Sequence, residues 1–377
     1  MLKIVIVGAG KIADAHAAEM QRVAGCQLVG VCDREPLMAA QLAERFGVAT
    51  FDDDLERLLI ACQPDVVHIT TPPRGHFEIA RQCLRHGCHV YVEKPFTLRA
   101  MEAEELLALA ETLGLKLTVG HDAQFSHVAR RLRESVRQGA LGGDPVHMES
   151  YYCYNLGKDG YAQALLADKQ HWVRRLPGGL LQNIISHGIA RIAEYLRTDQ
   201  PTIVAHGFVS PLLREMGETE IIDELRVIIS DESLTAYFTF SSQMRPALNM
   251  FRIYGPKGGL ILDQNNETLV RLTDKRFKSY AEHFLSPLVL ARQYGGNVAS
   301  NVRRFLASDF HMKAGMKHLF ERFYESISTN AEPPIPYREI LLTARIMESI
   351  FAQLGTASRA GGAPSAAPVP DVSTRTG

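Results

Sequence analysis

The sequence predicts an α/β protein in which a doubly wound parallel sheet is followed by a second domain of α+β type. Three observations support this fold class. From the start to about Gly120, short runs rich in Val and Ile alternate with stretches of helical periodicity. Beyond that point strand-like runs follow one another without intervening helices, which is typical of an open, mostly antiparallel sheet. The chain has 377 residues, too many for one average domain.

The elements of the first part follow in a regular order, and their strands are expected to pair in parallel over residues 1–121. The predicted strands are Leu2–Val7, Gln27–Cys32, Val66–Thr70, His89–Val92 and Lys116–Val119. The predicted helices, which carry apolar residues at helical spacing, are Lys11–Arg22, Pro36–Phe46, Leu55–Cys62, His76–Arg85 and Arg99–Leu113.

The second part, residues 122–355, mixes the two types of element. Predicted helices are Phe125–Arg137, Leu180–Leu196, Met312–Ser328 and Arg338–Leu354. Predicted strands are Val146–Tyr154, Leu225–Ile229, Ala236–Phe240, Asn249–Tyr254 and Leu260–Leu262. The apolar and basic stretch Phe284–Met316 is expected to be ordered and partly buried, against its own protein or a second copy. Residues 356–377 are dominated by Gly, Ala, Pro, Ser and Thr and are expected to form a disordered tail.

Composition excludes several classes of function. The 41 Lys and Arg residues balance 42 Asp and Glu residues, so there is no basic excess for binding nucleic acid. No apolar run approaches the roughly 20 residues of a membrane span, and the first residues lack the features of a signal peptide, so we expect a cytoplasmic protein. The six cysteines form no C-x-x-C pair, and no metal-ligand spacing occurs. We therefore expect neither disulfides nor a metal site.

A glycine motif follows the first predicted strand and opens the first helix. Gly8-Ala9-Gly10-Lys11-Ile12-Ala13 has the pattern G-x-G-x-x-A. In this context the first glycine permits a tight turn, the second lets the backbone approach a pyrophosphate, and the small Ala13 allows close helix packing. We expect Gly8, Gly10, Lys11 and Ile12 to contact a dinucleotide.

An acidic residue ends the second predicted strand. Asp33 stands about 25 residues after the first glycine, where a carboxylate accepts hydrogen bonds from an adenosine ribose diol. The same charge repels a 2′-phosphate, whereas the neighbouring Arg34 attracts one. The sequence thus favours NAD as the cofactor, with NADP as the alternative.

Two further motifs lie at the carboxyl ends of predicted strands, where open α/β sheets bind their ligands. Thr71-Pro72 follows one strand and Glu93-Lys94-Pro95 follows the next, and we expect Thr71, Pro72, Glu93 and Lys94 to contact the cofactor. Pro95 restricts Lys94 to extended geometry, and a lysine in a cleft can stabilise a developing alkoxide. The alternative is a surface pair between Glu93 and Lys94.

Together, G-x-G-x-x-A, T-P-P with a histidine shortly after it, and E-K-P resemble the glucose–fructose oxidoreductase, inositol dehydrogenase and rhizopine catabolism (Gfo/Idh/MocA) family. The resemblance extends to about Leu354. It implies an N-terminal Rossmann domain, a C-terminal α/β domain and redox chemistry with a nicotinamide cofactor on a hydroxyl carbon of a sugar or cyclitol. It also implies a homo-oligomer, a dimer or a tetramer.

The family's second signature is a glycine cluster that leads into a helix with an acidic residue and, four positions later, a histidine. Here Pro177-Gly178-Gly179 leads to Asn183 and His187, so an amide stands where many members have Asp. Residues four apart share one helix face, so both should reach one cleft. Because an amide cannot take a proton, His187 is the expected general base and Asn183 an orienting group.

Four more side chains are candidate site residues. His76 is expected either to contact the nicotinamide ribose or to cap its helix. Asp122 lies where relatives often have Asn, which leaves its contact with substrate open. Trp172 can stack on a sugar while Arg174 or Arg175 binds a carboxylate or phosphate; the alternative is a loop tryptophan that anchors the two domains.

The expected activity is NAD-dependent hydride transfer at a secondary alcohol carbon of a sugar, sugar acid, cyclitol or nucleotide sugar. Lys94 would hold the oxygen and His187 would remove its proton. Two alternatives remain: NAD-dependent cleavage of a glycoside through transient oxidation, and a non-catalytic dinucleotide-binding protein.

Overall fold

The computed structural model describes residues 1–156, 165–274, 277–278, 280–311 and 313–360, with side chains up to residue 355. Its first sheet has six parallel strands in the order β3-β2-β1-β4-β5-β6. The strands are β1 Leu2–Val7, β2 Cys26–Cys32, β3 Phe51–Asp52, β4 Val66–Ile69, β5 His89–Val92 and β6 Leu117–Val119. The helices are α1 Lys11–Met20, α2 Pro36–Phe46, α3 Leu55–Cys62, α4 His76–Arg85 and α5 Ala100–Thr112.

This sheet confirms the predicted doubly wound fold. The strand order reverses between β1 and β4, which opens a crevice at their carboxyl ends, where such sheets bind ligands. The sequence missed β3, which is only two residues long and pairs at Val31 and Cys32.

The second sheet has seven strands in the order β13-β12-β11-β7-β10-β9-β8. Every pair is antiparallel except β7 with β10, which confirms the predicted mostly antiparallel sheet. The strands are β7 His147–Tyr152, β8 Thr202–Phe208, β9 Glu224–Ser230, β10 Thr235–Ser241, β11 Asn249–Gly255, β12 Gly258–Asp263 and β13 Thr268–Thr273. The two strands that the sequence missed, β8 and β13, are the two edges, where burial of one face is weakest and the alternation of side chains least distinct.

Helices of the second part are α6 His127–Arg137, α7 Gly179–Ile184, α8 Ser186–Ala193, α9 Pro211–Glu215, α10 Ala281–Leu306, α11 Ala314–Thr329 and α12 Tyr337–Ala360. The single helix predicted over Leu180–Leu196 is wrong, because the chain breaks at Ile185 into α7 and α8. The last helix continues to Ala360, five residues into the segment predicted as a tail. Residues 361–377, and Met312 at the predicted start of α11, lie outside the described residues.

The chain after residue 313 returns to the first sheet. Phe320, Phe323 and Tyr324 of α11 are buried in the same hydrophobic cluster as β1, β4 and β5. A separate cluster lies between the second sheet, α8 and α12. The first core is therefore completed by residues far beyond position 121. Within the described residues, no helix is both long enough and apolar enough to span a bilayer.

Candidate active site

A cavity of about 760 Å³ lies above the carboxyl ends of β1, β2 and β4. Six of the predicted cofactor contacts line it: Gly8, Gly10, Asp33, Arg34, Thr71 and Pro72. Lys11, Ile12, Glu93 and Lys94 do not line this cavity. The predicted cofactor contacts in the glycine loop and after strands β2 and β4 therefore surround one crevice.

The two motif glycines differ in what they permit. Gly8 has a φ of +98°, and a Cβ there would lie 2.7 Å from the backbone nitrogen of Thr71. Only glycine fits that turn. A Cβ on Gly10 would meet nothing within 4 Å, so this glycine faces open space. The open side is what the close approach of a pyrophosphate to the backbone requires.

Asp33 ties the end of β2 to the glycine loop. Its Oδ2 accepts a hydrogen bond of 2.6 Å from the Ala9 N–H, and its Oδ1 accepts one of 2.9 Å from the Glu35 N–H. Each carboxylate oxygen has a second lone pair available for a donor. A carboxylate at this cavity wall fits the hydroxyls of an adenosine ribose, so the residues present fit a bound NAD.

His76 lies behind this cavity. Its side chain is fully buried, with Nδ1 2.9 Å from the Pro95 carbonyl oxygen and Nε2 2.9 Å from the Thr71 carbonyl oxygen. Burial lowers the pKa of His76, partly offset by these backbone contacts. The imidazole thereby joins the Thr71 turn to the loop after Lys94, and it is not among the residues that line the cofactor cavity.

Trp172 and Arg174 do not share a substrate pocket. Trp172 lines the cofactor cavity together with Arg175, whose carbonyl oxygen accepts a 2.6 Å hydrogen bond from Arg74 Nη2. The Arg174 side chain is 9% exposed and pairs with Glu218 at 2.6 Å. Its guanidinium also donates to the Leu165 and Leu166 carbonyl oxygens. The Arg174 guanidinium therefore has partners inside the protein, which favours a structural role for this side chain.

Glu93 is held from behind by a buried chain of polar side chains. His16 Nε2 lies 2.9 Å from Glu93 Oε1, and His16 Nδ1 lies 3.0 Å from His68 Nδ1. His68 Nε2 lies 2.9 Å from the hydroxyl of Tyr324. Burial raises the pKa of Glu93, but the bond with His16 and the charge of Lys94 outweigh it, so the pKa lies below its usual value. Glu93 is thus a fixed anion directly before Lys94.

Lys94 connects the first sheet to the broken helix. Its Nζ donates a 3.0 Å hydrogen bond to the backbone carbonyl oxygen of Asn183, at the end of α7. The helix interruption at Ile185 exposes carbonyls of the last turn, which accept side-chain donors. Burial lowers the pKa of Lys94, while Glu93 and Asp122 raise it. The Lys94 ammonium is therefore near the carboxylates of Glu93 and Asp122 and remains able to donate to another acceptor.

His187 lies on α8, in the next turn. It is buried, and its Nδ1 lies 3.9 Å from Asp122 Oδ1 and has no hydrogen-bond partner among the described residues. Burial and the charge of Lys94 hold the pKa of His187 well below 6.5. The imidazole is consequently neutral at physiological pH, which is the form that accepts a proton.

Asn183 contributes its backbone carbonyl oxygen to this cluster, as the acceptor of the Lys94 hydrogen bond. Because α7 ends at Ile184 and α8 begins at Ser186, Asn183 and His187 belong to different helices. Among the described residues, Asp122, in the turn after β6, is the carboxylate within 4 Å of His187. The sequence predicted an orienting group at Asn183 instead.

Residues 2–121 match the family model described as the oxidoreductase family with an NAD-binding Rossmann fold, GFO_IDH_MocA. The chain carries the Rossmann domain of the Gfo/Idh/MocA family. D-glucoside 3-dehydrogenase of Escherichia coli (strain K12) is 38% identical over 142 residues, which are 37% of this chain and 40% of that protein. The resemblance drawn from the motifs is thereby confirmed.

Solved structures resemble the whole fold of this chain. An NAD-binding oxidoreductase from Klebsiella pneumoniae superposes with a TM-score of 0.75 at 19% identity, over 94% of this chain and 97% of the other. The WlbA dehydrogenase from Bordetella pertussis, in complex with NADH and UDP-GlcNAcA, has a TM-score of 0.74 at 15% identity, over 94% and 96%. At these identities the likeness concerns the fold.

A second cavity, of about 560 Å³, lies beside His187. Asp122, Tyr152, Asn249 and Gln264 line it. Arg191 lies behind Tyr152, Asn249 and Gln264. It donates hydrogen bonds to Asn249 Oδ1 at 2.8 Å and to Gln264 Oε1. Its guanidinium carbon lies 5.8 Å from the centroid of the Tyr152 ring. Both amide oxygens face the arginine, so the amino group of Asn249 remains for a ligand.

Arg191 is the residue that sequence reasoning missed. It is 5% exposed, and no Asp or Glu of the described residues lies within salt-bridge distance of it. Burial lowers its pKa to about 10, so it stays charged at neutral pH. The sequence signal that could have identified Arg191 is its position four residues after His187, because residues four apart share one face of a helix.

Proposed function

We propose that this chain is an NAD-dependent oxidoreductase that transfers hydride between a secondary alcohol carbon of a sugar, sugar acid, cyclitol or nucleotide sugar and a nicotinamide ring. The observation that carries the proposal is the approach of Lys94 to the α7–α8 break, beside neutral His187. The name of the E. coli relative, a glucoside 3-dehydrogenase, supports the same class of substrate.

Each group has a distinct task in the proposed oxidation. His187, held neutral by burial, accepts the hydroxyl proton, and Asp122 beside its Nδ1 orients the ring. Lys94 donates to the substrate oxygen and stabilises the negative charge that develops there. When bound, NAD supplies the hydride acceptor. In the reverse direction His187 returns the proton.

The test is a panel of sugars, sugar acids, inositols and nucleotide sugars, assayed by NADH absorbance with the purified chain. Oxidation of at least one member with accumulation of NADH is the expected result. Substrate turnover without NADH accumulation would favour glycoside cleavage through transient oxidation. No turnover of any member, with NAD bound normally, would favour a non-catalytic dinucleotide-binding protein.

Within that panel we expect acidic substrates to be preferred over neutral ones. The second cavity is backed by the buried charge of Arg191, which has no carboxylate within 4 Å among the described residues, although Glu194 and Asp122 act on it at longer range. Asp122 and Glu267 also line this cavity, and burial raises the pKa of both, which reduces the negative charge that opposes an anion. A substrate carboxylate or phosphate would therefore gain attraction across Asn249 that a neutral sugar lacks. We predict that Arg191→Gln raises KM for acidic substrates at least ~10-fold and leaves KM for neutral ones nearly unchanged. Equal effects on both classes would contradict this assignment.

The cavity also predicts a preference for NAD over NADP. Asp33 accepts from ribose hydroxyls and repels a 2′-phosphate. Titration calorimetry should show tighter binding of NAD, and Asp33→Ser should narrow the difference between the two cofactors. If the wild-type chain binds NADP as tightly or more tightly, Arg34 dominates this part of the pocket instead.

A further inference from the structure

Helix α10 covers the edge of the second sheet with polar side chains. The Gln293 amide donates to and accepts from the backbone of Arg271, at 3.0 and 2.7 Å. Asn297, which is 1% exposed, makes the same pair of bonds with Leu269 at 3.0 and 3.2 Å. Asn301 Nδ2 donates to the carbonyl oxygen of Asn266 at 3.2 Å. Gln293 and Asn297 thus satisfy unpaired backbone groups of edge strand β13, and Asn301, four residues further on, binds the turn before it.

The opposite face of the same helix is apolar and points to solvent. Phe284, Leu288, Val298, Val302 and Phe305 are between 52% and 71% exposed. This helix is thus amphipathic in the inverse sense, with its polar side inward and its apolar side outward. The prediction that the segment is ordered is met over α10, whereas its apolar side chains stay largely uncovered within one chain.

The outward residues follow a heptad spacing. We call this outward stripe the α10 seam. Its members are separated alternately by four and three residues: Phe284, Leu288, Ala291, Gly295, Val298, Val302 and Phe305. Such a spacing keeps one stripe facing a partner helix along its whole length. The spacing is also nearly palindromic about Gly295, so two antiparallel copies would place Phe284 of one opposite Phe305 of the other.

We propose that the α10 seam pairs with α10 of a second copy of this chain, antiparallel and about a twofold axis near Gly295. A twofold contact requires one patch to be complementary to itself, and the palindromic seam meets that requirement. Large side chains lie at both ends of the seam and small ones at its centre. The N-terminal end of the seam in one copy would therefore pack against the C-terminal end of the seam in the other copy.

The glycines at the centre have no explanation within a single chain. A Cβ on Gly295 or Gly296 would meet nothing within 4 Å, and neither has a positive φ. Each glycine inside a helix costs roughly 1 kcal/mol relative to alanine. Close approach of a second backbone at the twofold axis offsets this cost, and the partner's Tyr294, 52% exposed, would have room over Gly296.

Charge and area support the same pairing. Glu282 lies in the first turn of α10 and Arg303 in the last, so an antiparallel pair places opposite charges together, whereas a parallel pair stacks like charges. Eight large apolar side chains of α10 are at least 38% exposed, an extent of apolar surface typical of a protein–protein contact.

Sedimentation velocity of the full-length chain tests the association. We expect the wild type to be a dimer or a larger assembly at micromolar concentrations, and Val298→Glu and Val302→Glu to halve its mass while retaining the wild-type melting temperature. Ile60→Glu, an equally exposed apolar residue on α3, is the matched control and should leave the mass unchanged. A monomeric wild type, or seam variants with undiminished mass, would overturn the proposal. Flotation of a monomeric chain with anionic vesicles would do the same and assign the seam to a membrane surface.

Cysteine crosslinking tests the orientation. Under mild oxidation, Gly295→Cys and the double variant Phe284→Cys/Phe305→Cys should each form a covalent dimer, and Phe284→Cys alone should not. The wild-type chain, with six free cysteines, is the background control. Crosslinking of Phe284→Cys to itself, or no crosslink with Gly295→Cys, would contradict the antiparallel pairing.

Discussion

Lys94→Met is expected to lower kcat at least ~100-fold, or about 2.7 kcal/mol of transition-state stabilisation, with NAD affinity nearly unchanged. The substitution keeps the length of the side chain but removes the ammonium that donates to the Asn183 carbonyl oxygen. The cofactor cavity does not include Lys94, so binding and chemistry should separate. Steady-state kinetics on the identified substrate and calorimetry with NAD measure the two effects.

The matched control for this variant is Lys169→Met, which removes an exposed lysine in the loop before Trp172. It should leave kcat unchanged. A melting curve accompanies both proteins, because an unfolded variant carries no information about catalysis. Turnover of Lys94→Met near the wild-type rate would show that the substrate oxygen is stabilised by another group.

His187→Asn is expected to have an effect of similar size, at least ~100-fold on kcat, because an amide cannot accept a proton. The wild type also has a defined pH dependence. Burial and the charge of Lys94 lower the pKa of His187 below 6.5, so the base stays neutral and active as the pH falls to that lowered value. The acidic limb of kcat/KM for oxidation should therefore lie below pH 6.5, the unperturbed histidine value.

The coupling between these two residues can be measured directly. Removing the ammonium in Lys94→Met removes one cause of the lowered pKa, so the His187 titration should shift to higher pH. NMR titration of the His187 ring in wild type and variant reads this shift without requiring turnover. An unchanged His187 titration would contradict the proximity of the two charges.

The first sheet was predictable because its signals are local. Each strand is a continuous apolar run, and Gly8, Asp33 and Lys94 all follow strand ends, where parallel sheets place their ligand contacts. The second sheet was predicted in type but not in extent. The strands that the sequence did not predict, β8 and β13, mix polar and apolar side chains. Each is an edge strand that pairs with only one neighbouring strand, so less of its surface has to be apolar.

The site was less predictable because long-range contacts determine it. The bond from Lys94 to the Asn183 carbonyl oxygen joins residues 89 apart and accompanies a helix break that periodicity does not reveal. Arg174 carries the same type of side chain as a substrate-binding arginine, yet Glu218, 44 residues away, satisfies it. Arg191 donates to the neutral side chains of Asn249, at the start of β11, and Gln264, directly after β12, which are 58 and 73 residues away.

The stoichiometry of NADH formation tests the central claim most directly. With the preferred member of the panel in limiting amount, the wild type should form one NADH for each substrate molecule oxidised, and Lys94→Met and His187→Asn should form NADH at least ~100-fold more slowly. Complete conversion of substrate without NADH accumulation, or NADH formation by both variants at the wild-type rate, would contradict the proposed oxidation at Lys94 and His187.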